Sequence, residues 1–275
     1  MKPIEEILKE DESKSYKDRV TFLREFRDSL TNLSVDSHTI IQALCSDSDT
    51  SELISNNLKY VILEYSAFSY TSIHMLLDAL IRNHDWESLK NELKENIEEE
   101  RGSMTRNIPH LEMMRRGYSL ELGIDTDSYV PSFVTQNFLN RMTKIFRHND
   151  NAYSAGALLA FEGTAIQEFH IVEKIVNKYC NIKDIKISED SLTSLYIKGH
   201  KDFEIGHENH LYDAIAPYIN EDNLYNFSVG YLHVCVSMST WWNQLSTECM
   251  LVLIDEEAIL KKVHEPEIEK KFKKK

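Results

Sequence analysis

Residues 155–169 read AGALLAFEGTAIQEF, and the apolar pattern around them runs from Ala152 to Cys180. That is far too long for a strand, and the pattern fits a helix buried among other helices. Ala155, Gly156, Ala157, Ala160, Gly163 and Ala165 leave room for neighbouring helices to approach closely. Glu162 sits among them, with Leu158, Leu159, Ala165, Ile166 and Phe169 as its same-face neighbours. A carboxylate on such a face should be buried, and burial without a partner costs several kcal/mol. An arginine, a hydrogen-bond network or a metal ion would resolve that cost.

The rest of the chain reads the same way. Eight glycines and five prolines in 275 residues are too few for sandwiches, barrels or Gly-rich nucleotide loops. The class expected is all-α, in one domain, as a bundle of about eight helices. Helical spacing covers Ser15 to Leu33. It also covers Ser51 to Arg82, where Ser69 to Ser72 predicts a break. Trp86 to Arg101 follows, stopped by Gly102 in a left-handed position. Pro109 suits the first turn of the next helix, through Leu111, Met114 and Tyr118, and Pro131 opens another to about Arg147. His148 to Asn151 is a turn cluster. Asn181 to Ser188 is the one strand-like stretch, too weak to count as an element. Ser191 to Ile219 reads as helix with Pro217 near its end, and Glu221 to about Val252 as the last long helix. A charged tail begins at about residue 264.

The formal net charge is −14, and without the five lysines of the closing KKFKKK it is −19. So acidic a body repels phosphate backbones, which argues against nucleic acid as a partner. Cys45, Cys180, Cys235 and Cys249 are far apart and form no CxxC pair, as expected of a reducing cytoplasm. The opening MKPIEEILKEDESK lacks the apolar core of a secretion signal, and no apolar run reaches membrane-spanning length. GxSxG, HExxH, P-loop and GxGxxG signatures are all absent.

The sharpest local motif is HKDFEIGH, from His200 through Glu204 to His207. At helical spacing these three side chains fall at about 0°, 40° and −20°, a narrow stripe able to reach one metal or two adjacent ones. The acidic helix end NIEEERG, Asn96 to Gly102, precedes His110. In chain order the candidates are Glu100, His110, Glu162, His200, Glu204 and His207. Three carboxylates and three imidazoles on four helices suit a dinuclear iron or manganese centre in a bundle core. A ferritin-like protein would need two Glu-x-x-His motifs, and this chain has one, Glu204 to His207.

The order and spacing of these residues resemble the haem-oxygenase-like diiron oxidases, over roughly Trp86 to Met250. The motifs that carry the resemblance are NIEEERG before a His, the GALLAFE helix, HKDFEIGH, and a late aromatic helix with Gly230, Trp241 and Trp242. The 52-residue gap from His110 to Glu162 is family-like; the 38 residues to His200 imply an insertion around Asn181 to Asp190. Glu204 stands where the family usually has Asp, which bears on whether that carboxylate bridges. Glu99 can replace Glu100 after a small shift of the helix end.

The resemblance implies a haem-oxygenase-like bundle holding two ferrous ions on these six residues, manganese being the lesser alternative. It also implies O2 as co-substrate and oxidation of a small amino-acid-like metabolite by N-oxygenation, desaturation or C–C cleavage. Some relatives oxidise their own side chains, and this chain has 13 tyrosines. The same fold hosts haem oxygenases, thiaminase-like enzymes and a cofactor-free quinone-forming oxidase. The first leaves the carboxylate–imidazole set unexplained, and the second needs a nucleophilic Cys, where Cys235 reads as core. The expected partner is a small-molecule substrate, with neither nucleic acid nor membrane, and a homodimer is compatible with the sequence. The competing reading is a metal-free helical bundle serving as a protein-interaction module.

Overall fold

Asn151–Lys183 is one continuous helix, and from Ala152 to Thr164 every residue in it is buried. A helix apolar on all sides has to sit inside others. The computed structural model describes residues 20–25, 27, 38–46, 50–105 and 107–264, side chains excepted at 202–205 and 251–264. In chain order the helices are α1 (Thr39–Leu44), α2 (Glu52–Arg82), α3 (Glu87–Glu100), α4 (His110–Leu122), α5 (Phe133–Phe146), α6 (Asn151–Lys183), α7 (Leu192–Ile215) and α8 (Glu221–His264). Residues 20–25 are helical as well, and a 3-10 turn at Ala216–Tyr218 accommodates Pro217. Among the described residues there is no strand, and no helix is long and apolar enough to cross a membrane. The protein is the all-α bundle its sequence implies.

α6 packs against α2, α7 and α8; α8 also covers α5 and α1, and α3 and α4 both lie on α7. Aromatic stacking holds α5 against α8. The Trp241 ring lies 4.5 Å from that of Phe138 at 6°, and its Nε1 donates to Thr135 Oγ1 at 2.8 Å. α6 and α8 cross backbone to backbone. A Cβ at Gly156 would stand 2.0 Å from the Phe227 carbonyl oxygen, and one at Gly230 equally close to that of Tyr153. Neither carbonyl can retreat without moving a helix. Gly156→Ala is therefore expected to lower the thermal midpoint by roughly 5–10 °C, overpacking costing about 1–3 kcal/mol or more. Unfolding followed by circular dichroism checks this, and an unchanged midpoint would refute so close a crossing.

α3, α4, α6 and α7 carry the chemistry, and two contacts position α7. The Glu121 carboxylate on α4 accepts from the backbone N–H groups of Leu192 and Thr193, at 2.8 and 3.0 Å. This satisfies orphan donors at the N-terminus of α7, where the helix dipole favours an anion. Gly117 lets the helices close, since a Cβ there would lie 2.7 Å from Thr193 N.

Four elements differ from the sequence expectation. α2 runs unbroken through Ser69 to Ser72, because the hydroxyls of Ser69, Thr71 and Ser72 bond back to carbonyls of the preceding turn, Tyr65, Phe68 and Ser69. Asn181 to Lys183 extend α6 rather than starting a strand, and Asp184 ends it in a left-handed conformation at φ 52°. Pro109 caps α4 from outside the helix instead of forming its first turn. α8 passes Val252 to reach His264. Of the helix expected at Ser15 to Leu33, residues 20–25 and 27 are helical; its other positions, like the tail beyond 264, lie outside the described residues.

Candidate metal centre

The acidic end of α3 is folded back onto the start of α4 by a tight loop. Gly102 follows the helix at φ 100°, and a Cβ on it would strike the Ile108 backbone at 2.6 Å. The Gly102 carbonyl accepts from Thr105 N and Asn107 N, and Thr105 Oγ1 donates to the Ile108 carbonyl at 2.7 Å. The result brings the first residue of α4, His110, against the last of α3, with Glu100 Oε1 3.1 Å from His110 Nδ1.

α7 supplies the next ligand candidate. His200 Nε2 lies 3.4 Å from the same Glu100 oxygen, and the two imidazoles meet edge to face at 4.5 Å. One donor atom from each of Glu100, His110 and His200 thus falls within 4.8 Å of the others. The tautomer of His200 is decided by its other nitrogen. Nδ1 is 2.7 Å from the Tyr196 carbonyl, which can only accept, so Nδ1 carries the proton. In the neutral ring Nε2 then presents a lone pair to a carboxylate. Such a pair needs a cation between its two acceptors, either a second proton on the ring or a metal ion, and a histidine fixed through its far nitrogen is how metal-binding imidazoles are held. Phe169 stacks on the His200 ring at 4.3 Å and keeps that side apolar.

A second group lies two turns along α7. His207 Nε2 is 2.5 Å from Glu99 Oε2, and His207 Nδ1 is 3.9 Å from Glu162 Oε2. Adjacent residues Glu99 and Glu100 thus face different histidines. Glu162 is 4% exposed, as its apolar neighbours require. Glu204 falls on the backbone of α7, but its side chain lies outside the described residues. Carboxylate oxygens and imidazole nitrogens are the donors that iron and manganese take, so the residues present fit such an ion. Burial would raise the Glu100 carboxyl, but hydrogen bonds from His110 and His200 outweigh it and hold the group well below the usual carboxylate range.

Two buried carboxyls on these helices escaped the sequence reading. Glu208 is neutralised by Arg27, Nε to Oε1 at 2.8 Å, and by the Tyr212 hydroxyl at 2.9 Å, which gives it a structural role. Glu168, on α6, is 1% exposed and has an Oε1 with no hydrogen-bond partner. Thr164, Ala165, Ile171 and Val172 at helical spacing are the signal that could have found it. Glu168 lines an apolar cavity of about 190 Å³ that also reaches Glu100 and His200. Burial pushes its pKa up to about 8. An unfolded glutamate titrates near 4.3, so between these values the folded chain holds a proton that the unfolded chain has lost. Stability of the metal-free protein is expected to fall as pH rises through this window, by at most about 1.4 kcal/mol per pH unit. Glu168→Gln should flatten that slope in denaturant titrations from pH 5 to 8; an identical slope would refute the assignment. Burial raises the Cys235 thiol to about 12, which disfavours the thiolate that a nucleophile needs.

The fold and site together define an all-α protein with carboxylate–imidazole groups gathered between four helices beside an apolar cavity. The chain belongs to the DUF3865 family, a domain of unknown function with a solved structure, whose model matches residues 25–248. It is similar in fold to two crystal structures of a CADD-like protein of unknown function from Nostoc punctiforme PCC 73102. One matches with a TM-score of 0.71 at 23% identity, covering 85% of this chain and 95% of that one. The other matches with a TM-score of 0.73 at 25% identity, covering 84% and 97%. No curated protein matches the sequence.

Proposed function

We propose that the protein is a non-haem diiron oxygenase or oxidase acting on a small substrate bound in the cavity beside Glu100 and His200. The observation that carries this reading is the convergence of Glu100, His110 and His200, with the His200 tautomer set so that its lone pair faces a carboxylate. The neighbouring set of Glu99, Glu162 and His207 supplies donors for a second ion, and the resemblance read in the sequence includes five of these six residues, with Glu204 rather than Glu99 as the sixth. Bound as a ferrous pair, the ions would supply the electrons that activate O2.

The chain's own residues do the rest. Glu100 holds two imidazoles at one oxygen, and the Tyr196 carbonyl keeps the His200 ring in register. Phe161 and Phe169 line the adjoining space and exclude water from it. Elemental analysis after anaerobic loading tests the reading, with about two irons per chain expected; well under one would remove its basis.

α7 is the helix on which metal should act most. Gly199 and Gly206 lie within it, each costing roughly 1 kcal/mol relative to alanine. Among the described residues nothing would lie within 4 Å of a Cβ at Gly206, so their packing does not require that glycine. Amide exchange over residues 199–210 is expected to slow when ferrous iron binds, because the ion links α7 to α3 and α4. Equal, strong protection with and without iron would show the helix to be preformed.

A further inference from the structure

We propose that the cavity beside Glu100 and His200 binds a small primary amine, and that the carboxyl group of Glu168 recognises its ammonium. Binding itself is independent of iron; only the oxidation of the bound amine rests on the diiron function. The inference deepens that function by naming a substrate class.

The first ground is the shape and lining of the space. Tyr65, Phe68, Phe161, Phe169 and Met238 are among its lining residues, and its volume is about 190 Å³. An apolar cavity of about 150 Å³ takes up benzene, so this one has room for a single ring with a short arm. Such a room selects an apolar body.

The second ground is the polar inventory. Ser69 Oγ is engaged with the Tyr65 carbonyl and the Tyr196 hydroxyl, and Ser72 Oγ donates to the Ser69 carbonyl. Glu100 and His200 are committed to each other and to His110. Among the described residues lining the cavity, only Glu168 has a buried polar atom without a hydrogen-bond partner. A carboxyl left so in an apolar room is costly unless a ligand completes it.

The third ground is the sign of charge. The lining holds two carboxyl groups, Glu100 and Glu168. Its one arginine, Arg101, is 59% exposed at the side chain and bound to Glu98 at 2.7 Å. In the metal-free cavity a carboxylate would add a second negative charge beside that of Glu100 with no lysine or arginine buried in the lining to meet it, whereas an ammonium is drawn to Glu168 and restores its ionised form. A neutral alcohol would satisfy the hydrogen bond but forgo the charge interaction.

Titration calorimetry with 2-phenylethylamine, 2-phenylethanol and 3-phenylpropionate tests the proposal, on iron-loaded anaerobic protein and on metal-free protein. In both forms the amine should bind at least tenfold more tightly than the alcohol or the acid. Glu168→Gln should lose at least tenfold in amine affinity and leave the alcohol unchanged. Alcohol or acid binding as tightly as the amine overturns the proposal, and so does a Glu168→Gln protein that binds the amine like the parent. Amine affinity found only in the iron-loaded form would assign recognition to the metal and overturn it too. The wild-type series decides the matter even if the variant does not fold. Iron content measured on the same samples separates the two readings. Two irons without amine selectivity sinks this inference alone, and amine selectivity without iron sinks the diiron reading alone.

Discussion

Glu100→Ala is expected to reduce the iron held after anaerobic loading from about two per chain to well below one. One oxygen of Glu100 lies within 3.4 Å of both His110 and His200, so the substitution removes a ligand and the group that orients two others. Glu99 cannot stand in without abandoning His207, to which it is 2.5 Å away. The metal-free protein should suffer as well, since two buried imidazoles lose the carboxylate they share, at a cost of about 1–3 kcal/mol. Metal analysis and a denaturant titration on the same preparation read both effects. Full iron occupancy in the variant would exclude Glu100 from the centre.

Glu162→Ala should instead separate activity from stability. The carboxylate is 4% exposed on a helix buried on every side, and the nearer nitrogen of His207 stands 3.9 Å away, beyond hydrogen-bond range. A cation between them would bind both, so alanine removes a donor of the proposed second ion. Oxygen consumption by the iron-loaded variant is therefore expected to fall at least a hundredfold, while the metal-free protein still folds. Retained turnover would refute the assignment; a collapsed midpoint would make Glu162 a structural residue instead.

The sequence made the central helix legible because burial on every face leaves a composition that no surface helix has. Glu162 stood out there for the same reason. Elsewhere local signals pointed the wrong way. The serines and threonine at 69–72 look like punctuation, yet in α2 their hydroxyls are absorbed by carbonyls one turn back, a choice settled by the packing of Phe68 and Ser69 inside the bundle. The division of labour between Glu99 and Glu100 depends on how the end of α3 meets α7, which no spacing along the chain encodes. Glu168 was hidden by its company: beside the more conspicuous Glu162, it reads as one more polar residue on a long helix. Only the cavity in front of it marks it as different.

The glycine crossing of α6 and α8 has a mechanical consequence. Helices in backbone contact have no side chains between them to tilt or slide, so with the Trp241 stack they form the stiff chassis of the bundle. α7 is the compliant arm, carrying an interior glycine at 206 that the packing of the described residues does not demand. A load applied at His200 or His207 is therefore taken up by bending α7 and leaves the α6–α8 frame where it stands. Gly206→Ala would stiffen the arm without touching the frame, and the centre would then have to capture its ions with less give.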